Sequence, residues 1–267
     1  MNHLLRELAP ITEAGWELLD DEAKEHLTAS LAARKLVDFS DPLGWKHSAT
    51  NLGRTEAIEQ TPADGVAARR RRVLPLVELR AEFDVSRDEL RDNDRGAADA
   101  DLDDLDEAAK QLAVAENIAV FHGWPQGGID GITEASPHPA IPAAKSIEHY
   151  PRRVAKGVEV LLRSGISGPY GLALGPDEYT AVIETSEHGG YPLFDHLRKI
   201  LGGPIVWAPG VRGAIVLSLR GGDFLFESGQ DIALGYDHHD AQTVHLYLEE
   251  SFSFRVVTPE AAVALSS

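Results

Sequence analysis

The chain of 267 residues contains no cysteine and a single methionine. Without thiols there is no disulfide framework, no thiolate zinc or iron–sulfur site and no cysteine nucleophile, so stability has to come from packing or from assembly. Positive charge is also scarce, 25 Lys+Arg against 43 Asp+Glu, for a formal net charge of -18. That balance argues against a general nucleic-acid binder, which neutralises phosphates with clustered cations, and favours solubility and mutual repulsion. No apolar run approaches the ~20 residues of a membrane span, and Arg6 and Glu7 interrupt the apolar N-terminus. No membrane span and no targeting signal are expected, which makes the cytoplasm the expected address. Enzyme signatures are missing too: there is no Gly-x-Ser-x-Gly, no phosphate loop, no Gly-x-Gly-x-x-Gly after a strand and no His-Glu-x-x-His. Nothing nominates a catalytic residue. What remains, 43% hydrophobic and 25% charged residues, is an ordinary globular composition.

Periodicity sets out an α+β chain. Trp16, Leu19, Ala23, Leu27 and Leu31 recur at helical steps, and the spacing predicts one amphipathic helix over 12–37, stopped at Pro42. The segment 44–72 has little periodicity and ends in Arg69-Arg70-Arg71-Arg72. It reads as either disordered or an extended arm whose hydrogen bonds are completed from outside the subunit, and the arm is the reading favoured. Alternation of Leu79, Ala81, Phe83 and Val85 predicts a half-buried strand over 78–85, and Ser86-x-x-Glu89 has the form of a capping box opening a short helix. A longer helix is predicted over 102–121, with Leu102, Leu105, Ala109, Leu112, Glu116 and Ala119 on one side and a cluster of aspartates in its first turns. After a Gly/Pro-rich stretch at 124–142, helices (152–163, 177–185, 193–201) and strands (170–174, 204–208, 214–219) alternate. Strand-like runs follow at 224–226, 232–236 and 244–257, the last interrupted near Glu249-Glu250, and then a short apolar tail at 261–265.

Three polar clusters each admit two readings. Asp237-His238-His239-Asp240 has metal-ligand residue types, but a solvated hairpin tip explains it more simply, and no metal site is expected. Glu187-His188-Gly189-Gly190 is either an exposed loop or the rim of a channel. The arginine run either binds phosphate or forms a salt-bridge surface or solvated face.

Blocks along the whole chain resemble the encapsulins, the bacterial nanocompartment shell family also called linocin-type bacteriocins. They include Leu8-Ala9-Pro10-Ile11-Thr12, Ala33-Arg34-Lys35-Leu36-Val37-Asp38 and Leu74-Pro75-Leu76-Val77-Glu78-Leu79-Arg80-Ala81-Glu82-Phe83. Further blocks are Arg220-Gly221-Gly222-Asp223-Phe224, Gly229-Gln230-Asp231-Ile232-Ala233-Leu234-Gly235-Tyr236 and Ser251-Phe252-Ser253-Phe254-Arg255-Val256-Val257-Thr258-Pro259. The resemblance implies the major capsid protein fold of tailed bacteriophages, of the Hong Kong phage type. It divides the chain into an N-terminal helix region of the peripheral domain (1–43), an extended loop (44–76), the peripheral domain with its spine helix (77–126), an axial domain (127–221) and a return to the peripheral domain (222–267).

The same resemblance implies a non-enzymatic subunit of an icosahedral homo-oligomeric cage of about sixty copies. Such a cage encapsulates a cargo enzyme bearing a C-terminal loading peptide, a dye-decolorizing peroxidase or a ferritin-like protein, for oxidative-stress defence or iron storage. Leu31, Arg34 and Asp38 on the helix side and Asp231, Ile232, Leu234 and Tyr236 on the sheet side match the family's peptide groove. The apolar members also suit plain core, and Arg34 and Asp38, four apart on one helix face, suit pairing with each other or with the ends of the peptide. Glu187, His188, Gly189 and Gly190 match the five-fold pore, where His188 would change charge near neutral pH. Arg69, Arg70, Arg71 and Arg72 are expected at an inter-subunit contact, facing the acidic 101–107 stretch of a neighbour. Some members bind a flavin near a tryptophan after the strand at 79–85. Here Asp88 takes that position and no aromatic lies between Phe83 and Phe121, so no cofactor is expected. Two rival readings are a prophage-derived major capsid protein and a bacteriocin or protease activity of the kind once attached to the family's name.

Overall fold

The computed structural model describes residues 2–143, 146–186 and 190–266. Helix α1 (Glu13–Ser30) begins where the Thr12 hydroxyl accepts the Gly15 N–H at 3.0 Å. It buries Leu19, Ala23 and Leu27, three of the five positions of the stripe read from the sequence. The helix stops at Leu31, short of the expected 37, and a 3-10 turn (Ala33–Lys35) and a two-residue strand β1 (Asp38–Phe39) follow. The stop comes from outside the segment. Buried Asn117 accepts the N–H groups of Ala32 and Ala33 through Oδ1, both at 3.0 Å, and its Nδ2 donates to the carbonyls of Ser30 at 2.9 Å and Pro209 at 3.0 Å. With those amides held by a side chain, the helical ladder has no donors with which to continue.

The arm is also corrected. Strands β2 (Ala49–Ile58) and β3 (Ala68–Pro75) pair antiparallel with each other, so the hairpin's inner hydrogen bonds close within the subunit. Only its base is anchored: Thr50 donates to Glu227 at 2.6 Å, and His47 bonds the same carboxylate at 2.8 Å. Beyond Thr50 the hairpin is almost wholly exposed, including Ile58, Val66 and Val73.

Strand β4 (Val77–Ser86) leads into α2 (Arg87–Asp94), capped by the Ser86 hydroxyl accepting the Asp88 N–H at 3.2 Å. Glu89 does not close the capping box; its carboxylate accepts the Asp101 N–H at 3.1 Å. Helix α3 (Asp103–His122) is the long helix of the fold and lies between α1 and the large sheet. That sheet is built on β10 (Thr243–Val256), which runs unbroken through Glu249-Glu250 where an interruption was expected. β10 pairs with β4 along one edge, and along the other first with β9 (Ala233–His239) and then with β8 (Phe224–Ser228), which holds β1 in parallel.

A second sheet is ordered β11-β7-β5-β6, from β5 (Tyr170–Leu174), β6 (Ile205–Trp207), β7 (Ala214–Ser218) and β11 (Ala262–Leu265). Helices α5 (Tyr150–Arg163), α6 (Pro176–Glu184) and α7 (Leu193–Leu201) pack on it, after a single helical turn α4 (Ile132–Ala135). A Cβ on Gly157 would lie 3.1 Å from Val216, so α5 crosses this sheet at close range. The apolar tail read from the sequence is β11, and it joins this sheet instead of returning to the large one.

Candidate functional site

One face of α1 presents Asp20, Ala23, Lys24, Leu27, Thr28 and Leu31 across a groove from Asp231, Ile232 and Leu234, with Leu248 at its floor. The groove holds about 420 Å³. Helical steps put the first set on one side of the helix, and the β9–β10 pairing places Leu234 beside Leu248. Leu31 and Leu234 are nearly closed off by their neighbours, while Ile232 stays partly open to the groove.

Charged pairs stand at the groove. Arg6 forms a two-pronged bond with Asp20, at 2.9 and 2.7 Å, and lies 4.1 Å from the Trp16 ring centroid. Arg34 donates to Glu116 Oε2 at 2.6 Å, Asp231 Oδ1 at 2.6 Å and Glu250 Oε2 at 2.7 Å, under the rings of Phe39 and Phe226. Burial by itself would lower the Arg34 pKa, but the charges of Glu116 and Glu250, followed by Asp231, outweigh it and hold the guanidinium firmly protonated. Burial raises Glu116, with Arg34 opposing the rise. Burial and then the charge of Glu116 drive Glu250 well above the ordinary carboxylate range.

Of the seven groove residues expected from the sequence, the structure brings together Leu31, Arg34, Asp231, Ile232 and Leu234. Asp38 is elsewhere: its Oδ2 accepts the Gly222 N–H at 2.7 Å, so the first of the two alternatives, an Arg34–Asp38 pair, does not form. The end of α1 removes the shared helix face that would have made it. Tyr236 is buried away from the groove with its hydroxyl on His239 Nδ1. Arg6, Asp20, Lys24, Glu116, Asn117 and Glu250 were not singled out as site residues from the sequence. Glu116 carried the clearest signal, a carboxylate on the apolar side of a helix.

The remaining clusters are placed as follows. Asp237, His238 and His239 end β9 and Asp240 opens the turn into β10, with His238 bonded to Asp237 at 2.7 Å and Asp240 accepting the N–H groups of Gln242 and Thr243. Among the described residues, the set with metal-ligand proximity is a different one: Glu22, His26 and Asp106, where His26 Nε2 lies 3.2 Å from each carboxylate and ties α1 to α3. Asp88 sits on the exposed start of α2 and accepts from Arg91 at 2.7 Å. Arg69 donates to Thr55 at 2.7 Å, and Arg70 lies 3.4 Å from Glu56 across the hairpin. Of the expected pore residues, Glu187, His188 and Gly189 lie outside the described residues, and Gly190 adopts a positive φ of 79°. No helix among the described residues is long and apolar enough to cross a membrane.

A long helix against a sheet, a projecting hairpin and a second α/β unit together form the capsid fold of tailed bacteriophages. A virus-like particle from Pyrococcus furiosus superposes with a TM-score of 0.64 over 93% of this chain and 98% of that one, at 19% identity. Gordonia phage Cozz does so with a TM-score of 0.53 over 89% and 86%, at 15% identity. Within that class the chain belongs to the encapsulin shell-protein family. The family described as encapsulating protein for peroxidase matches residues 1–253. The type 1 encapsulin shell protein of Rhodospirillum rubrum is 49% identical over 99% of this chain and 96% of its own length. Its Mycobacterium tuberculosis counterpart is 43% identical over the full length of both.

Proposed function

We propose that this chain closes with copies of itself into an icosahedral cage, in its simplest form of about sixty subunits. In this reading the groove between α1 and β9 takes the C-terminal peptide of a cargo enzyme, a dye-decolorizing peroxidase. The observation that carries it is the groove itself. Its floor is apolar and Arg6–Asp20 and Arg34–Asp231 supply charge, so a short peptide can lay apolar side chains on Leu31, Ile232 and Leu234 while its polar groups meet fixed ions. The description of the family as encapsulating a peroxidase favours that cargo over a ferritin-like one. The subunit's role is structural, without catalysis and without a flavin, since Asp88 offers no aromatic face.

Electron microscopy of the purified protein should show closed shells, and mass spectrometry of co-purifying chains should identify a peroxidase; a ferritin-like chain in its place would replace the cargo assignment. Ile232→Asp, on the open side of the groove, should lower encapsulated cargo by about tenfold while leaving shells intact, because a carboxylate there repels an apolar peptide; Leu31→Asp should lower cargo too, with a loss of subunit stability from its nearly closed-off position. Undiminished loading in both variants would move the peptide site elsewhere.

A further inference from the structure

Beneath the groove, the Arg34 site holds more carboxylate than one guanidinium neutralises. Of its three partners, Asp231 is 44% exposed and is screened by water, whereas Glu116 and Glu250 are 0% and 1% exposed. If both ionised, the buried trio would carry a net negative charge, a state a protein interior avoids by holding a proton. The geometry identifies where that proton goes. Glu116 and Glu250 each spend Oε2 on Arg34, and the remaining oxygens, Glu116 Oε1 and Glu250 Oε1, are both buried without a partner. The two carboxyl groups meet neighbouring nitrogens of one guanidinium, Nε at 2.6 Å and Nη2 at 2.7 Å, which sets them side by side.

We propose that Glu116 and Glu250 form a one-proton site, in which a single hydrogen is shared between their two free carboxyl oxygens, and which stays occupied at neutral pH. The proton makes the trio neutral and supplies the missing donor. The charged groups facing the pair are Arg34, from the turn after α1, and Asp231, from the loop before β9. Glu249 alternates to the opposite side of β10, where it pairs with His3 at 2.8 Å beside Arg80 of β4.

The unfolded chain releases this proton in the ordinary carboxylate range and the folded chain keeps it to much higher pH, so folding takes up one proton between those limits. The stabilisation is complete below the unfolded pKa. It is lost as pH rises toward the folded one, with the folding equilibrium falling about tenfold per pH unit. A pH-sensitive joint therefore ties α3, β10 and the turn after α1 directly under Asp231 at the groove. This inference does not depend on what the groove binds.

Infrared spectra of assembled full-length shells at about pH 8, where exposed carboxyl groups are ionised, should contain the carbonyl stretch of an un-ionised carboxylic acid. Glu250→Gln should abolish it. Glu116→Gln should abolish it too, because Arg34 then neutralises the one carboxylate left, and this second variant keeps the test open if the first fails to fold. From about pH 6 to about pH 9 the wild-type melting temperature should fall steadily relative to either variant. A wild-type spectrum without the band, a band that survives both substitutions, or melting curves that run parallel across the pH range would each overturn the site.

Discussion

Arg34, with a side chain 15% exposed, meets three carboxylates at 2.6–2.7 Å, whereas Arg70, 71% exposed, faces one intrachain carboxylate at 3.4 Å. The two arginines separate the two ways this acidic chain uses positive charge. At Arg34 two of the three carboxylates are buried, each guanidinium nitrogen meets one carboxylate, and removing one group exposes the cost of the rest. On the hairpin the charges are hydrated and locally worth little, so a role for them depends on what a neighbouring subunit brings. The lesson is that the same residue type organises the inside of the subunit in one place and is left for the outside in the other.

The sharpest way to break that contrast is Arg34→Ala. It strands Glu116 and Glu250 in a buried site and should lower stability by about 3–5 kcal/mol, read by thermal or denaturant unfolding. If stranded charge is the cause, combining Arg34→Met with Glu116→Gln and Glu250→Gln should recover much of the loss; a triple variant as unstable as the single one would point to lost packing instead. Asn117→Ala should follow at about 2–4 kcal/mol, since it leaves two amides and two carbonyls buried without partners. A loss well under 1 kcal/mol would mean that the end of α1 is set by something other than this side chain.

Both sites show why the sequence was legible for elements and less so for their ends. The stripe Leu19, Ala23, Leu27 and the side of α3 from Leu105 to Leu112 are periodic, and periodicity is a local property. The end of α1 depends on Asn117, more than eighty positions away, and nothing between 31 and 37 announces it. Glu249-Glu250 read as a break in a strand because two adjacent carboxylates disfavour burial. The partners that permit it, His3 and Arg34, lie far off in the chain. The groove residues came largely from the family resemblance, and the two that the structure sets apart, Asp38 and Tyr236, bond to partners outside the groove, Gly222 and His239. The hairpin gave no apolar alternation because its faces meet no core within the subunit, so its strands could not be told from an unpaired arm.

The smallest effect on the subunit should come from Arg70→Glu combined with Arg71→Glu, and it tests the other half of the contrast. The hairpin is joined to the rest of the chain mainly at His47 and Thr50, and it leaves Ile58, Val66 and Val73 open to solvent. Reversing two of its charges removes no core contact, so the fold and its melting should stay as they are. Assembly should weaken, because each subunit carries a formal charge of -18 and the arginine run is a concentrated positive feature that a neighbour's acidic 101–107 stretch can meet. Light scattering should report fewer shells from the variant at low salt, and the gap to wild type should narrow as salt screens the contact. Reversing Asp103 and Asp104 to Arg in the same chain should then restore assembly if these are the two faces that meet. Unchanged shells at every salt concentration would show that the hairpin holds its neighbour through apolar and main-chain contacts alone, with its arginines merely solvated.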